Sequence, residues 1–504
     1  MKKFKVKITI LLFILLFTIL LLFLLLLGIK GNSPIKEAST NYLKTKTGWV
    51  IEDGKEYYYD PVTRKKASGW LHENDITYYL DPVTKEKTTG LLKLSKKLIF
   101  YFDKNGQMYK DCTINNFVID QYGFVKEISI PFPGESQKKK IEASIAQISE
   151  KYGAEGVSVA VIENGSLQST YQYGNAAKPS IPMEEDTKIR IASISKVVLS
   201  MIAVRMQEQN ILDLSSSIGD YWGFPVKNPY YPQTPVSLFS IFTHTSSISD
   251  LASYNNIEGN LRASNIFRNI SPLDPAGCYY CNYAFAVAGA TVEKAGNKNI
   301  HDLANETFFD PLDIDASFIS GRLKNPSLLA ELYYADGSIG RSLDSQKSFQ
   351  GSSTPGENGS LVVGGLCISA KDMAKLVCVL ANDGNYEGKQ ILSKESVKMM
   401  EAPYCATDYH GVPVLQCMPL KYHTDVYGQE ELYFHTGSAY GVYSLMSYNP
   451  NTKNGVVVIT TGALGTQDSS GIYAVCGEIS NSVYSSFDRQ EEYLNKVINS
   501  DYLY

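Results

Sequence analysis

Apolar residues along the chain follow distinct periods, and each period predicts an element. Ile8 to Ile29 is uncharged, and only Thr9, Thr18 and Gly28 break its strongly apolar character. A run of that length crosses a bilayer as a helix. Lysines at 2, 3, 5 and 7 precede it and favour a cytoplasmic tip. The run exceeds the apolar core of a cleaved secretory signal, and LLLLGIKGNS offers no small-x-small cleavage site. Residues 1–30 are therefore expected to be a cytoplasmic tip and a single transmembrane signal anchor in the cell membrane, with the bulk of the chain extracellular.

The pattern then changes to short aromatic alternation with an internal repeat. TGWVIEDGKEYYYDPVT is followed by SGWLHENDITYYLDPVT, and Gly48-Trp49, Gly69-Trp70 and Gly90-Leu91 recur at a step of 21 residues. Each unit reads as a short aromatic strand, a turn at DPVT or DKNG, and a second strand. Such units bury a face only by stacking. Residues 45–130 are expected to form a small all-β hairpin repeat module, and PFPGESQKKK, residues 131–140, a linker.

From residue 141 the chain alternates between helical and strand periods. Ile141, Ile145 and Ile148 predict an amphipathic helix ending near Gly153. VSVAVI and SLQSTYQYG flank Asn164-Gly165, the signature of a tight hairpin. RIASISK, residues 190–196, opens a helix that runs into VVLSMIAV. YGVYSLMSYN and GVVVITT read as paired antiparallel strands, and IYAVCGEISNSVYSSF as a final helix. Strands at both ends with helices between them predict an α+β fold. One antiparallel sheet, flanked by helices and closed by the first and last segments, carries a helical insertion over residues 141–485. Residues 486–504 read as a tail.

Composition narrows the partners. Hydrophobic content of 44% and charge of 20% are globular values. With a net charge of −5 and no basic stripe, nothing points to a nucleic-acid partner, and none is expected. Eight cysteines suit an oxidising exterior. Cys278/Cys281 and Cys405/Cys417 are the locally closest pairs, and Cys278-Tyr-Tyr-Cys281 reads as packed thiols or a structural bridge rather than a redox motif. No histidine pair accompanies it, so no metal site is expected.

The candidate chemistry starts at Ser193-Ile194-Ser195-Lys196. Residues three apart share a helix face, so the Ser193 hydroxyl and the Lys196 amine can meet. Serine is a weak nucleophile without a neighbouring base. Lysine becomes that base when burial and positive neighbours lower its pKa. By itself the motif also describes a serine cap beside a solvated lysine. Further along come Tyr280-Cys281-Asn282 and His435-Thr436-Gly437. In that order, with FTHTSSISD, LVVGGLCISAKDMAKLVCVLANDG and GKQILSKESVKMM, the region resembles the serine β-lactamase and penicillin-binding-protein superfamily, within its class C-like serine hydrolase group.

That resemblance implies a β-lactamase-like fold and a role for each residue. Ser193 would be the acyl-forming nucleophile and Lys196 its proton partner. Tyr280 would be a general acid/base, a tyrosinate in the field of Lys196. Asn282 would hold Lys196 and the substrate amide. His435 would donate a hydrogen bond from the strand edge. Thr436, Gly437 and Ser438 would bind substrate, with the Ser438 and Ser193 N–H groups receiving the oxyanion. Cys281 stands where serine is usual, Ser247 where glycine is usual, and Ala276-Gly277-Cys278 is an atypical approach to the tyrosine.

The repeats resemble choline- or glucan-binding cell-wall repeats with their GW…YYxD…G pattern. In that case Trp49, Tyr58, Trp70, Tyr79 and Tyr101 would line aromatic sites suited to quaternary ammonium groups on a cell-wall polymer. Leu91 breaks the pattern in the third copy, and a bare stalk is the competing reading. The whole chain then reads as a membrane-anchored extracellular serine hydrolase acting through an acyl-serine, with no metal or organic cofactor. The expected substrate is a peptidoglycan-type D-amino-acid peptide, through D,D-carboxypeptidase or D-aminopeptidase chemistry. Hydrolysis of a small ester or amide, as by a β-lactamase or carboxylesterase, is the alternative within the enzyme class. A non-catalytic cell-wall-binding protein on a retained hydrolase fold is the alternative outside it.

Overall fold

The computed structural model describes residues 46–95, 98–114, 117–128, 135–251 and 253–487. The expected anchor at 8–29 and residues 488–504 of the expected tail lie outside the described residues. Among the described residues no helix is long and apolar enough to cross a membrane. The chain divides into two compact units. One reaches to Cys112 and includes Ile119–Val125; the other comprises Thr113–Val118 and the chain from Lys126.

The first unit contains three antiparallel hairpins: Gly48–Glu52 with Lys55–Tyr59, Gly69–Glu73 with Ile76–Leu80, and Gly90–Ser95 with Leu98–Phe102. The tight turns fall at Asp53-Gly54 and Asn74-Asp75, all four residues having positive φ, the conformation that a two-residue hairpin turn of matching twist requires. The DPVT segments, expected as the hairpin turns, instead join one hairpin to the next. There the Asp60 carboxylate accepts from the N–H groups of Val62 and Thr63 at 3.0 and 2.6 Å. Asp81 repeats the arrangement with Val83 and Thr84 at 2.8 and 2.7 Å. An aspartate that bonds its own backbone in this way is a turn-former, but the turn it forms lies between units.

The second unit is built on a nine-stranded antiparallel sheet. Its strands are β1 (Gly156–Glu163), β2 (Ser166–Ala177), β3 (Ile181–Pro182), β4 (Cys405–Tyr409), β5 (Val412–Gln416), β6 (Lys421–His423), β7 (Leu432–Ala439), β8 (Val442–Tyr448) and β9 (Gly455–Thr461). Their order is β3-β2-β1-β9-β8-β7-β6-β5-β4. The first long strand lies against the last, Gly156 opposite Thr461 and Ile162 opposite Gly455. Asn164 and Gly165 turn β1 into β2 with φ of 49° and 77°.

Both faces of the central strands are covered, which is why they read as continuous apolar runs rather than alternating ones. Val157, Val159, Val456 and Val458 face α1 (Glu135–Lys151) and α5 (Ala474–Phe487), packing with Ile141, Ile145, Val475 and Ile479. Ala160, Ile162, Val457 and Ile459 face the other way, into a larger core. Helix α1 starts inside the expected linker. After Gly134 the segment ESQKKK holds no glycine or proline, and its residues are good helix formers.

That larger core contains α2 (Ser195–Glu208), α3 (Asn282–Gly296) and α4 (Ala370–Ala381). Ser369 caps α4, accepting the Asp372 N–H at 3.1 Å. The Asp372 carboxylate is buried and takes Lys188 at 2.8 Å and Lys375 at 3.2 Å. A disulfide joins Cys278 to Cys405 over 127 residues, with Cα atoms 6.2 Å apart. The locally closest pairs are therefore not bridged, and Cys281 and Cys417 are free thiols. Cys281 is instead the N-cap of α3, its sulfur accepting from the Ala284 N–H at 3.2 Å.

The Lys188–Asp372 pair gives a stability test. Removing one partner of a buried ion pair leaves an uncompensated charge and costs about 3–5 kcal/mol, whereas apolar replacement of both is often neutral. Asp372→Leu, which leaves the buried Lys188 ammonium without its partner, should lower the unfolding free energy by that amount, and Asp372→Leu with Lys188→Met should recover most of it. Equal stability of Asp372→Leu and the parent would contradict this.

Candidate active site

Ser193 sits in a single 3₁₀ turn, Ala192–Ile194, that leads straight into α2. The turn is held from two sides. Ala192 has φ of 50°, a left-handed conformation in which a non-glycine residue is strained. Gly364 and Gly437 pack against it so closely that a Cβ on Gly437 would lie 2.3 Å from the Ile191 carbonyl oxygen. The segment around Gly364 completes the clamp: Ile191 N–H donates to Leu366 O at 2.9 Å, and Leu366 N–H to the Ser195 hydroxyl at 3.1 Å. The glycine of HTG is thus required by the close approach of backbone to the Ser193 turn, whereas a Cβ on Gly364 of VVGGL would lie 3.3 Å from Ala192.

Lys196 lies one turn into α2 with its side chain buried. Its amine is 2.9 Å from the Ser193 Oγ and 2.6 Å from the Val363 carbonyl oxygen. Burial, and then the charge of Lys421, push its pKa down to about 7, against a smaller opposing pull from Asp250. Lys421, on β6, is itself buried, and burial pushes it down to about 8. Among the described residues no carboxylate pairs with it. Its ammonium lies 5.3 Å from the centre of the Tyr280 ring and 4.7 Å from that of Tyr409. Lys196 stands 5.2 Å from the same Tyr280 ring.

Burial raises the Tyr280 pKa above the ordinary tyrosine value, against a smaller lowering influence of the Ser193 hydroxyl. Desolvation therefore favours the neutral phenol over the tyrosinate expected. Asn282 does not reach Lys196. It opens α3 and gives its amide to Asp250 at 3.4 Å, while Asp250 also accepts the Tyr283 N–H at 2.7 Å. The second contact of Lys196 is the Val363 carbonyl.

His435 is on β7, buried, and held neutral by burial and by the nearby Lys421 and Lys196 charges. Its Nδ1 lies 2.7 Å from the Thr436 carbonyl oxygen. A carbonyl only accepts, so Nδ1 carries the ring proton and Nε2 presents a lone pair. Nε2 is buried and has no hydrogen-bond partner among the described residues. The side chain therefore offers an acceptor, not the donor expected. The Thr436 hydroxyl bonds the Tyr409 hydroxyl. Ser247 adopts φ of 63°, the glycine-like conformation of the residue it replaces, and its hydroxyl takes the Asn228 amide at 2.8 Å.

Ser193, Tyr280, Asn282, His435, Thr436 and Ser438 line one cavity of about 940 Å³, together with Lys421, Tyr409, Arg190 and Arg341. Lys421, Tyr409 and Arg341 have no counterpart in the sequence reading. Each stands alone between ordinary residues; the sheet order pairs β6 with β7 and places β4, two strands further on, at the edge, from where Tyr409 reaches Thr436. The disulfide ties Cys278, two positions before Tyr280, to the start of β4, the strand that ends at Tyr409.

In the repeats the register sets Trp49 opposite Tyr58, Trp70 opposite Tyr79 and Leu91 opposite Tyr101. Trp49 meets Tyr58 and Tyr78 edge-on at 5.3 and 4.9 Å, and Trp70 meets Tyr79 and Phe100 at 4.9 and 4.7 Å. Tyr101 stacks on Tyr109 at 5.3 Å. The Lys87 ammonium lies 5.1 Å from the centre of the Trp49 ring, so that face already holds a cation of the protein's own.

Among curated proteins, a beta-lactamase from Providencia stuartii is 26% identical over 203 residues, 40% of this chain and 50% of its own. The D-alanyl-D-alanine-carboxypeptidase/endopeptidase AmpH of Escherichia coli (strain K12) is 30% identical over 100 residues, 19% of this chain and 25% of its own. The chain thus spans half or less of the length of these relatives. The solved structure of the D-amino acid amidase from Ochrobactrum anthropi SV3 is 20% identical with a TM-score of 0.56, covering 71% of this chain and 100% of that one. The octameric penicillin-binding protein homologue from Pyrococcus abyssi is 18% identical with a TM-score of 0.55, covering 70% of this chain and 77% of that one. Both share the fold. Residues 68–82 match a cell wall binding repeat. Residues 141–474 match the beta-lactamase family, and with the Ser193 turn, the Lys196 contact and the closed antiparallel sheet in place, the chain belongs to that family.

Proposed function

We propose that the protein is a serine hydrolase that cleaves peptidoglycan-type D-amino-acid peptides through an acyl-Ser193 intermediate. The observation that carries this reading is the buried Lys196 amine, 2.9 Å from the Ser193 Oγ and without an ion-pair partner among the described residues. With its pKa down to about 7, a substantial fraction of Lys196 is neutral at physiological pH and accepts the Ser193 proton as Oγ attacks the carbonyl carbon. The tetrahedral oxyanion is received by the N–H groups of Ser193 and Ser438. The neutral Tyr280 phenol gives its proton to the departing amine as the C–N bond breaks, and Lys196 returns the proton to Tyr280. Water then reverses these transfers and releases the acid. Every step belongs to general acid–base and nucleophilic catalysis.

The substrate class rests on several supports. A cell wall binding repeat precedes the family domain. A curated relative is a D-alanyl-D-alanine-carboxypeptidase/endopeptidase. The Lys421 ammonium lines the cavity and has no ion-pair partner among the described residues, which supports a role for it in taking a substrate carboxylate. The aromatic repeats bind wall polymer in this reading. The uncharged run at Ile8–Ile29 behind its lysines holds the protein in the cell membrane with both units outside.

Ser193→Ala should abolish labelling by a fluorophosphonate and hydrolysis of a D-alanyl-D-alanine peptide, while Trp70→Ala should weaken sedimentation with purified cell wall and leave labelling intact. Labelling that persists in Ser193→Ala would remove Ser193 as the nucleophile. Tyr280→Phe should cut turnover by about 10²-fold or more, the usual scale of proton-transfer catalysis, in a protein with unchanged circular dichroism. Turnover near the parent's would take Tyr280 out of the mechanism.

The sign of the pH effect follows from Lys196 acting as a base. Acylation should rise as pH passes upward through about 7, where Lys196 loses its proton. Lys421→Met removes a positive neighbour and should move that rise to higher pH. A rise that stays in place in Lys421→Met would show that burial alone sets the Lys196 pKa.

A further inference from the structure

The cavity that holds Ser193 has a second positive wall, distinct from Lys421. Arg190 precedes the Ser193 turn, and Arg341 ends the short strand Ile339–Arg341. Both guanidinium groups sit over the ring of Tyr440, at 5.2 and 4.4 Å from its centre. Tyr440 turns β7 into β8. Arg341 donates from Nη2 to the Tyr440 hydroxyl at 2.8 Å, and Arg190 donates from Nε to the Gly364 carbonyl at 2.7 Å.

Each group has five N–H donors, so most remain unassigned by these bonds. The Arg341 Nε is buried and has no hydrogen-bond partner among the described residues. Among the described residues neither arginine forms an ion pair. The cavity's lining includes a single carboxylate, Asp408 on β4, whose Oδ1 takes the Gly411 N–H at 2.8 Å. Two like charges brought this close repel one another unless an anion lies between them.

The local backbone fixes the pair. A Cβ on Gly340 would lie 2.6 Å from the Tyr440 carbonyl oxygen, and one on Gly441 would lie 1.9 Å from the Tyr333 carbonyl oxygen. The strand carrying Arg341 therefore packs backbone-to-backbone on the Tyr440 turn, and the guanidinium groups are placed by the fold rather than by solvent. Burial raises the Tyr440 pKa, but the Arg341 bond and the Arg190 charge outweigh it and lower the pKa overall, as an uncompensated positive field would.

We propose that Arg190 and Arg341, framing Tyr440, form an anion subsite that binds a carboxylate on the acyl side chain of the substrate, separate from any group held by Lys421. The inference rests on the acyl-serine reading for its place in the reaction and names the substrate more closely: an acidic acyl donor. Planar guanidinium groups take carboxylates through paired, charge-assisted hydrogen bonds.

The test measures binding, so it does not depend on turnover. Ser193→Ala protein is titrated calorimetrically with N-succinyl-D-alanine methyl ester, which has one carboxylate, and with its N-succinamoyl analogue, which has a carboxamide there. The carboxylate should bind at least about tenfold more tightly, the scale of a charge-assisted hydrogen bond. Arg341→Gln on the same background should erase that preference, Arg341→Lys should keep part of it, and Lys421→Met should leave it unchanged. Equal binding of the two ligands overturns the subsite without needing any variant. Loss of the preference in Lys421→Met but not in Arg341→Gln also overturns it, by assigning the carboxylate to Lys421. If the native protein takes no fluorophosphonate label while the preference and its loss are seen, the subsite stands and the acyl-serine reading fails.

Discussion

A buried amine that no carboxylate pairs with among the described residues is the constraint on which the site depends. Ordinarily a lysine taken out of water keeps its charge by pairing with an acid, as Lys188 does with Asp372 at 2.8 Å. Lys196 is given the opposite surroundings: a serine hydroxyl, a backbone carbonyl and a second buried ammonium. The two lysines lie in one core and differ by their neighbours alone. One is held in an ion pair and the other has its pKa pushed down to about 7, and the difference follows from the rule that burial disfavours the charged form unless an opposite charge restores it.

The rest of the fold keeps that amine in place. A helix that starts directly after Ser193 puts residue 196 one turn away, and a strained Ala192 aims the serine into the cavity. Gly364 and Gly437 let two other chain segments approach the turn at backbone distance. Strand β7 brings His435 and Ser438, β6 brings Lys421, and β4 brings Tyr409, which bonds Thr436 on β7. The disulfide anchors the segment before Tyr280 to that same sheet edge.

Parts of this were legible in the chain because their causes are local. Asn164-Gly165 specifies a turn whatever surrounds it, and the spacing of Ser193 and Lys196 is the pitch of one helix turn. The continuous apolar runs of β1 and β9 already imply strands covered on both faces. The missed features depend on distant segments. Lys421 is a lone lysine after an apolar stretch, a pattern that usually means a solvated side chain. Only the pairing of β6 with β7 buries it. Cys278 reaches Cys405 because the sheet edge passes the loop before α3, while the nearby Cys281 is committed to capping that helix. His435 changed from donor to acceptor because of a carbonyl one residue away, a matter of side-chain rotation that no sequence pattern specifies. In the repeats the aromatic pairs were readable, but the turns fell at Asp53-Gly54 and Asn74-Asp75 rather than at DPVT, since left-handed residue pairs outcompete an aspartate turn for the hairpin position.

Whether Ser193 has its base is a question about one proton. Selective ¹³C labelling of lysine, with the Lys196 resonance assigned through Lys196→Arg, allows the amine to be titrated by NMR in the folded protein. A midpoint near pH 7, well below the ordinary lysine value of about 10.4, is the outcome expected of a desolvated amine beside a second cation. A midpoint near the ordinary value would mean that Lys196 stays an ammonium at Ser193, and the proton would then have to leave by another route.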